Sequence, residues 1–502
     1  MNRSRHYVSI QFDSIRSVLA PRRLRAACVA AVSAVLLASA FAAPVAAQAP
    51  QFTAKDLLAD SISDIKPNHA QVDDAIIKFS LDDLNGALQH LKNAKQLAPE
   101  IPPPELLMAK LCFIGANQRM GRDVQRGRAW LERSVAADPG DPEPYSILGE
   151  VALSEGRVTD AGVLFAEAQK LADKFADNPK RKQNFQRKSL QGLAVVAQRR
   201  EKWDLAKAMI DEWIKLDPEN AAAHAALAQA LFYLNKPSDA YKSFQEADRL
   251  QQIVADRNSP PSPMAELNMA ALYQRRDKDD KRTGDLIELA VKNHPKDFGV
   301  RLKAAQIAMA ANLLDIALTQ SEAAVKMDEN DLTAKLVRGY VARLRDDFPT
   351  AEHYFELAHL QSPGNFDASN NLALLLAERP EDAKKNRAYE FAVMNIQRFP
   401  INGQSPARFD AMSTFGWVQF KRKVMADAQQ ALQQVVNSNA VTPDSRYYIA
   451  SLLEADPKRT DDAIKVLEAA VESELPFVNR TAATRLLAKL KAASGGGSPP
   501  RK

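Results

Sequence analysis

The chain has 502 residues, with 67 Lys and Arg against 62 Asp and Glu, and its blocks of Ala, Leu, Lys, Glu and Gln favour helix over strand. Six of the arginines and one aspartate fall in residues 1–47, so the remainder is nearly neutral and lacks the basic footprint that nucleic-acid binding needs. Two cysteines, Cys28 and Cys112, exclude a disulfide framework and a Cys-based zinc site.

The first element in chain order is an address. Arg22, Arg23 and Arg25 precede the apolar run AACVAAVSAVLLASAFAA, and the small residues of APVAAQA follow. This pattern predicts an export signal over 1–47, with an uncleaved membrane anchor as the alternative, and a linker over 48–67. Cys28 opens the apolar run instead of following it, which does not suit lipid attachment. Cys112, inside LLMAKLCFIG, reads as a small buried apolar residue.

Beyond the leader the chain repeats itself every 34 residues. Ala317 is followed by Ala351, Ala324 by Ala358, Gly339 by Ala373, Ala206 by Ala240 and Ala194 by Ala228. Three blocks show the unit best. KLVRGYVARLRDDFPTAEHYFELAHLQSP carries Gly339, Ala342, Ala351, Phe355, Ala358 and Pro363. HAALAQALFYLNKPSDAYKSFQEADRL carries Leu227, Ala228, Leu231, Ala240, Phe244 and Ala247, and YSILGEVALSEGRVTDAGVLFAEAQKL carries Tyr145, Leu148, Gly149, Ala152, Ala161, Phe165 and Ala168.

These positions resemble the signature of the tetratricopeptide repeat, W-x2-L-G-x2-Y followed by Ala-x3-Phe, Ala and Pro. The resemblance implies an all-α, right-handed α-solenoid of about eleven helix-turn-helix units, capped at its C-terminus by one more helix. Small residues at the helix crossing let two axes approach to roughly 8 Å. We place an N-terminal array at 68–254, a C-terminal array at 264–476, a capping helix at 477–493 (TAATRLLAKLKAA) and a flexible tail at 494–502. Residues 174–186 and 255–263 read as loop insertions between blocks, and ERPEDAKKNRA around Pro380 as a lengthened turn.

No residue set reads as catalytic, cofactor-binding or metal-binding. His353 and His359 lie about 120° apart around one helix and cannot converge on an ion, and no HExxH pattern surrounds them. GxSxG, GxxxxGK[ST] and strand-to-helix GxGxxG motifs do not occur. Asp346, Asp347, Asp461 and Asp462 suit helix starts. The basic run KRKQNFQRK, with one aromatic, reads as a solvated loop or helix extension.

In the family resembled, the first helices of successive repeats line a groove that takes extended peptides or partner proteins. Register transfer then gives Gln229, Tyr233, Asn268, Gln274, Gln306, Tyr340, Asn370, Trp417, Phe420 and Tyr447 as groove candidates. The chaperone-binding branch of the family needs a Lys/Asn, Asn, Lys/Arg clamp for a free carboxylate. Asn371 matches its middle position, but Leu336, Tyr340, Asp410 and Thr414 replace the others. The implied function is a non-enzymatic scaffold for protein partners in a bacterial cell envelope, without cofactor or nucleic acid. A glycan-associated role in polysaccharide or cell-wall export is the alternative, resting on analogy of fold.

Overall fold

A computed structural model describes Leu58 and residues 69–495, apart from 100, 120–121, 177–178, 255–260, 400–404 and 439. The export signal, all of the linker but Leu58, and the tail beyond 495 lie outside the described residues. Among the described residues there is no strand, and no helix is long and apolar enough to cross a membrane.

Among the described residues the helices come in consecutive pairs, one pair to a repeat, in two compact units that divide between Leu272 and Tyr273. In the first unit α1 (Ala70–Ser80) pairs with α2 (Leu84–Leu97), α3 (Pro104–Arg119) with α4 (Arg122–Ala137), and α5 (Pro142–Ser154) with α6 (Val158–Lys174). Next come α7 (Pro179–Arg199) with α8 (Trp203–Leu216), and α9 (Ala221–Tyr233) with α10 (Pro237–Val254). Helix α11 (Ala265–Arg276) starts in this unit and ends in the other, preceding α12 (Asp280–Asn293).

The second unit continues with α13 (Phe298–Ala310) and α14 (Leu314–Met327), then α15 (Leu332–Leu344) and α16 (Phe348–Gln361). The remaining pairs are α17 (Phe366–Ala377) with α18 (Asp382–Gln397), α19 (Pro406–Lys421) with α20 (Met425–Asn437), and α21 (Pro443–Glu454) with α22 (Thr460–Val471). A single helix, α23 (Arg480–Gly495), packs on α22 and covers its apolar face with Ala483 and Leu490.

Local chemistry explains why each pair folds back so tightly. The second residue after the first helix is left-handed in most repeats: Glu201, Asn235, Lys278, Asn312 and Asp346 all have φ between 53° and 59°. Their spacing keeps the 34-residue period except between Asn235 and Lys278, where the insertion at 255–263 lengthens it. In the eighth repeat the Asp347 N–H then donates to the Ala342 carbonyl at 2.9 Å and Asp346 N–H to Arg343 at 3.1 Å, which is the Schellman pattern that satisfies otherwise orphaned carbonyls. Asp347 also opens α16, its carboxylate accepting from Thr350 N–H at 3.2 Å. The other end of the repeat is capped in the same register, by Asp297, Asp331 and Asn365 on the starts of α13, α15 and α17.

Packing follows the small residues. A β-carbon at Gly339 would stand 3.0 Å from the Phe355 ring, and one at Gly149 would stand 2.9 Å from Phe165. Phe165 and Phe355 are almost completely buried, as are Ala351 and Ala358. Burying each ring contributes about 1.5–3 kcal/mol, obtainable only where the opposing helix has no side chain in the way. Cys112 is fully buried and free.

The segment 174–186 departs from the expected loop. From Pro179 it is helical, and it lengthens α7 to 21 residues. Phe185 supplies the reason: it is buried, edge-on to Phe175 at 5.2 Å, and Arg181 lies over both rings. The basic run is therefore a helix extension pinned by its one aromatic.

Candidate functional site

The groove candidates fall into one set per unit. In the first unit Gln229, Tyr233 and Asn268 are half-buried. Tyr233 is already engaged, its ring stacked on Trp203 at 3.9 Å. The same first-helix face holds a charged group that sequence reasoning missed. Glu143 on α5 is 2% exposed and pairs with Lys110 on α3, with Arg181 of α7 at 3.9 Å. Asp141, the cap of α5, is pushed up to about 6 by burial, outweighing its bond from the Glu143 N–H. Glu143 and Asp141 thus have cations beside them.

In the second unit Gln274, Gln306, Tyr340, Asn370, Phe420 and Tyr447 are half-buried, and Trp417 is only 3% exposed. Trp417 is part of a core cluster: it stacks on Tyr448 at 4.5 Å and on Phe420 at 5.3 Å, and its indole N–H donates to Glu378 at 2.8 Å. Tyr340 packs edge-on to Phe355 and donates through its hydroxyl to Asp367 at 3.3 Å. Burial pushes that hydroxyl well above the usual tyrosine range. Two candidates keep an unused acceptor: Gln274 Oε1 and Asn370 Oδ1 are sealed from solvent with no donor in reach.

Around Asn370 the structure assembles residues that spacing alone did not bring together. Asp367, Asp410 and Asp444 each lie six residues before the small residue of their first helix, at Ala373, Gly416 and Ala450. Helices α17, α19 and α21, which carry them, pack side by side. Burial raises all three carboxyls, and Asp410 is pushed up to about 6, with Asp367 and Asp444 adding repulsion from either side. Asp367 has the Tyr340 hydroxyl, and Asp444 accepts from Asn479 N–H at 3.0 Å and from its amide at 2.6 Å. Among the described residues Asp410 has no such donor. Arg343 is 7% exposed, donates to Asn371 and favours the ionised form of Asp444. Asn371, the one residue matching the carboxylate clamp, is thereby occupied; its own amide donates to the Asp367 carbonyl at 2.8 Å.

The two histidines differ in their surroundings. His353 is exposed, while His359 turns its ring edge to Phe391 at 4.9 Å, and burial lowers its pKa. Among the described residues no group of three or more His, Cys, Asp or Glu converges as a metal site.

Comparison with known proteins agrees with the repeat geometry. The tetratricopeptide-repeat family model matches residues 192–263 and 302–365. Similar solved structures include a tetratricopeptide repeat protein from Parabacteroides merdae, at 14% identity, TM-score 0.41, covering 54% of this chain and 98% of that one. Yeast Tom70 is similar at 13% identity, TM-score 0.36, covering 85% of this chain and 96% of its own. So is pilF of Pseudomonas aeruginosa at 17% identity, TM-score 0.26, covering 45% and 94%. No curated protein matches the sequence. Residues 192–263 and 302–365 are thus tetratricopeptide repeats, a repeat type that suggests a protein-interaction scaffold, and paired helices of the same kind run through both units.

Proposed function

We propose that the protein is an exported, non-enzymatic scaffold that holds partner proteins or extended peptides against its first helices in the cell envelope. The observation that carries the binding part is the first-helix face of the second unit, where Asn370 Oδ1 and Gln274 Oε1 are buried without donors. Leaving a polar atom unsatisfied costs about 1–3 kcal/mol, and a peptide backbone N–H that meets the half-exposed Asn370 or Gln274 amide, turned toward it, would recover it. The export part rests on the basic leader and apolar run before Ala47. Trp417, on which glycan stacking would turn, is buried and already hydrogen-bonded, so protein partners are the reading the side chains support.

The test is site-specific photocrosslinking in intact cells from Gln306 and Asn370, with N-terminal sequencing of the mature protein from the same preparation. Envelope proteins crosslinked from these positions, and not from exposed His353, are the expected result. Equal labelling from His353 would remove the binding face, and a mature chain recovered from the cytosol with its leader intact would remove the export reading.

A further inference from the structure

We propose that the face formed by α17, α19 and α21 binds an extended basic peptide segment, with Lys or Arg side chains taken in turn by Asp367, Asp410 and Asp444. This deepens the scaffold reading and rests on it.

Three observations carry the proposal. The first is register: one carboxylate per repeat, at the same position of three adjacent first helices. The second is Asp410, which is half-buried in this face and, among the described residues, has neither a hydrogen-bond donor nor a cation. Its surroundings offer only two further carboxylates, whereas buried Glu143 in the other unit has Lys110 against it. A carboxylate drawn partly out of water beside two like charges is stabilised by an incoming cation. The third is Asn370 Oδ1, sealed without a donor one turn beyond Asp367. The face therefore holds an excess of acceptors, and a ligand rich in cationic donors complements it.

Geometry narrows the ligand further. Packed helix axes lie roughly 8–10 Å apart, and extended chain advances roughly 3.3 Å per residue, so one carboxylate per repeat matches a basic residue at every third position. The segment ends before α13. There Lys303, desolvated and next to Arg275, has its pKa lowered and would repel a further basic residue. Arg343 acts on Asp444 and Tyr448 and leaves Asp410 to the ligand.

The experiment uses the full chain and three fluorescent peptides of one length: a Lys-x-x-Lys-x-x-Lys peptide and its Gln and Glu counterparts, followed by anisotropy. The expected result is binding of the Lys peptide about tenfold or more tighter than the Gln peptide, weakening with salt. Asp410→Asn, which removes no hydrogen bond within the protein, should cost about tenfold for the Lys peptide alone. If the Gln or Glu peptide binds as well, the proposal is overturned while the scaffold reading stands. Binding of none of the three, or full binding by Asp410→Asn, also overturns it; photocrosslinking judges the scaffold reading separately.

Discussion

Phe165 and Gly192 share one point of contact: the ring of α6 lies so close to the backbone of α7 that a β-carbon at 192 would overlap it. The same ring touches Gly149 on α5. One aromatic from a second helix thus locks its own first helix to that of the following repeat.

Gly192→Ala is therefore expected to destabilise the first unit by about 1–3 kcal/mol through overpacking. Gly284→Ala should do the reverse. Its nearest neighbour, Ile316, stands at an ordinary 3.5 Å, so removing a helix-interior glycine should stabilise by about 0.5–1 kcal/mol. Denaturant unfolding of the two variants, read by circular dichroism, checks both signs.

The left-handed turns offer a second test. Lys423 has φ 64° and no special liking for that conformation, whereas Asn312 at 58° tolerates it. Lys423→Gly should stabilise by up to about 1 kcal/mol, and Asn312→Gly by less. Replacing either with Val should lower the thermal midpoint. Differential scanning calorimetry resolves the order.

Asp410 gives a pH signature. Its folded pKa of about 6 lies above the ordinary aspartate value of 3.8, so the fold favours the protonated form. That contribution is fully present below about pH 4 and is lost as pH rises through about 6. Asp410→Asn should match the wild type near pH 4 and exceed it at pH 7.5 by at most about 3 kcal/mol. Urea midpoints at the two pH values, each against wild type, decide the matter.

The buried pair on α3 and α5 makes a contrasting prediction. Glu143→Gln removes the carboxylate paired with Lys110 in a site where the lysine side chain is 12% exposed, and should cost up to about 3–5 kcal/mol. Exchanging both residues together for Met and Gln should recover much of the loss. A double-mutant cycle on unfolding midpoints measures the coupling.

Much of this architecture was legible in the residues. The 34-residue recurrence of Ala317 and Ala351, and of Gly339 and Ala373, set the helix pairs and their crossings, and Ala351, Phe355 and Ala358 proved to be core. The extension of α7 was not, because Phe185 sits in a run of charges and only the tertiary partner Phe175 shows it to be buried. The carboxylate row escaped for a related reason. Asp410 follows Asp367 by more than one period, since the lengthened turn at Pro380, the segment before α19 and the extra turn opening it intervene. Trp417 was legible as aromatic and correctly placed on a first helix, but its fate was set by Tyr448 and Glu378, from other repeats and other helices.

The left-handed turns also determine where this chain can accept extra length. Repeats with Asn235, Asn312 or Asp346 at the bend leave no free residue between their helices, because each backbone N–H there is already bonded. The bends at 378–381 and 455–459 have no left-handed residue, and these are the ones that have grown. A tag, loop or reporter inserted beside Pro380 or Pro457 would enter at a permissive point, whereas the same insertion after Asn312 would have to unpick a closed ring of hydrogen bonds.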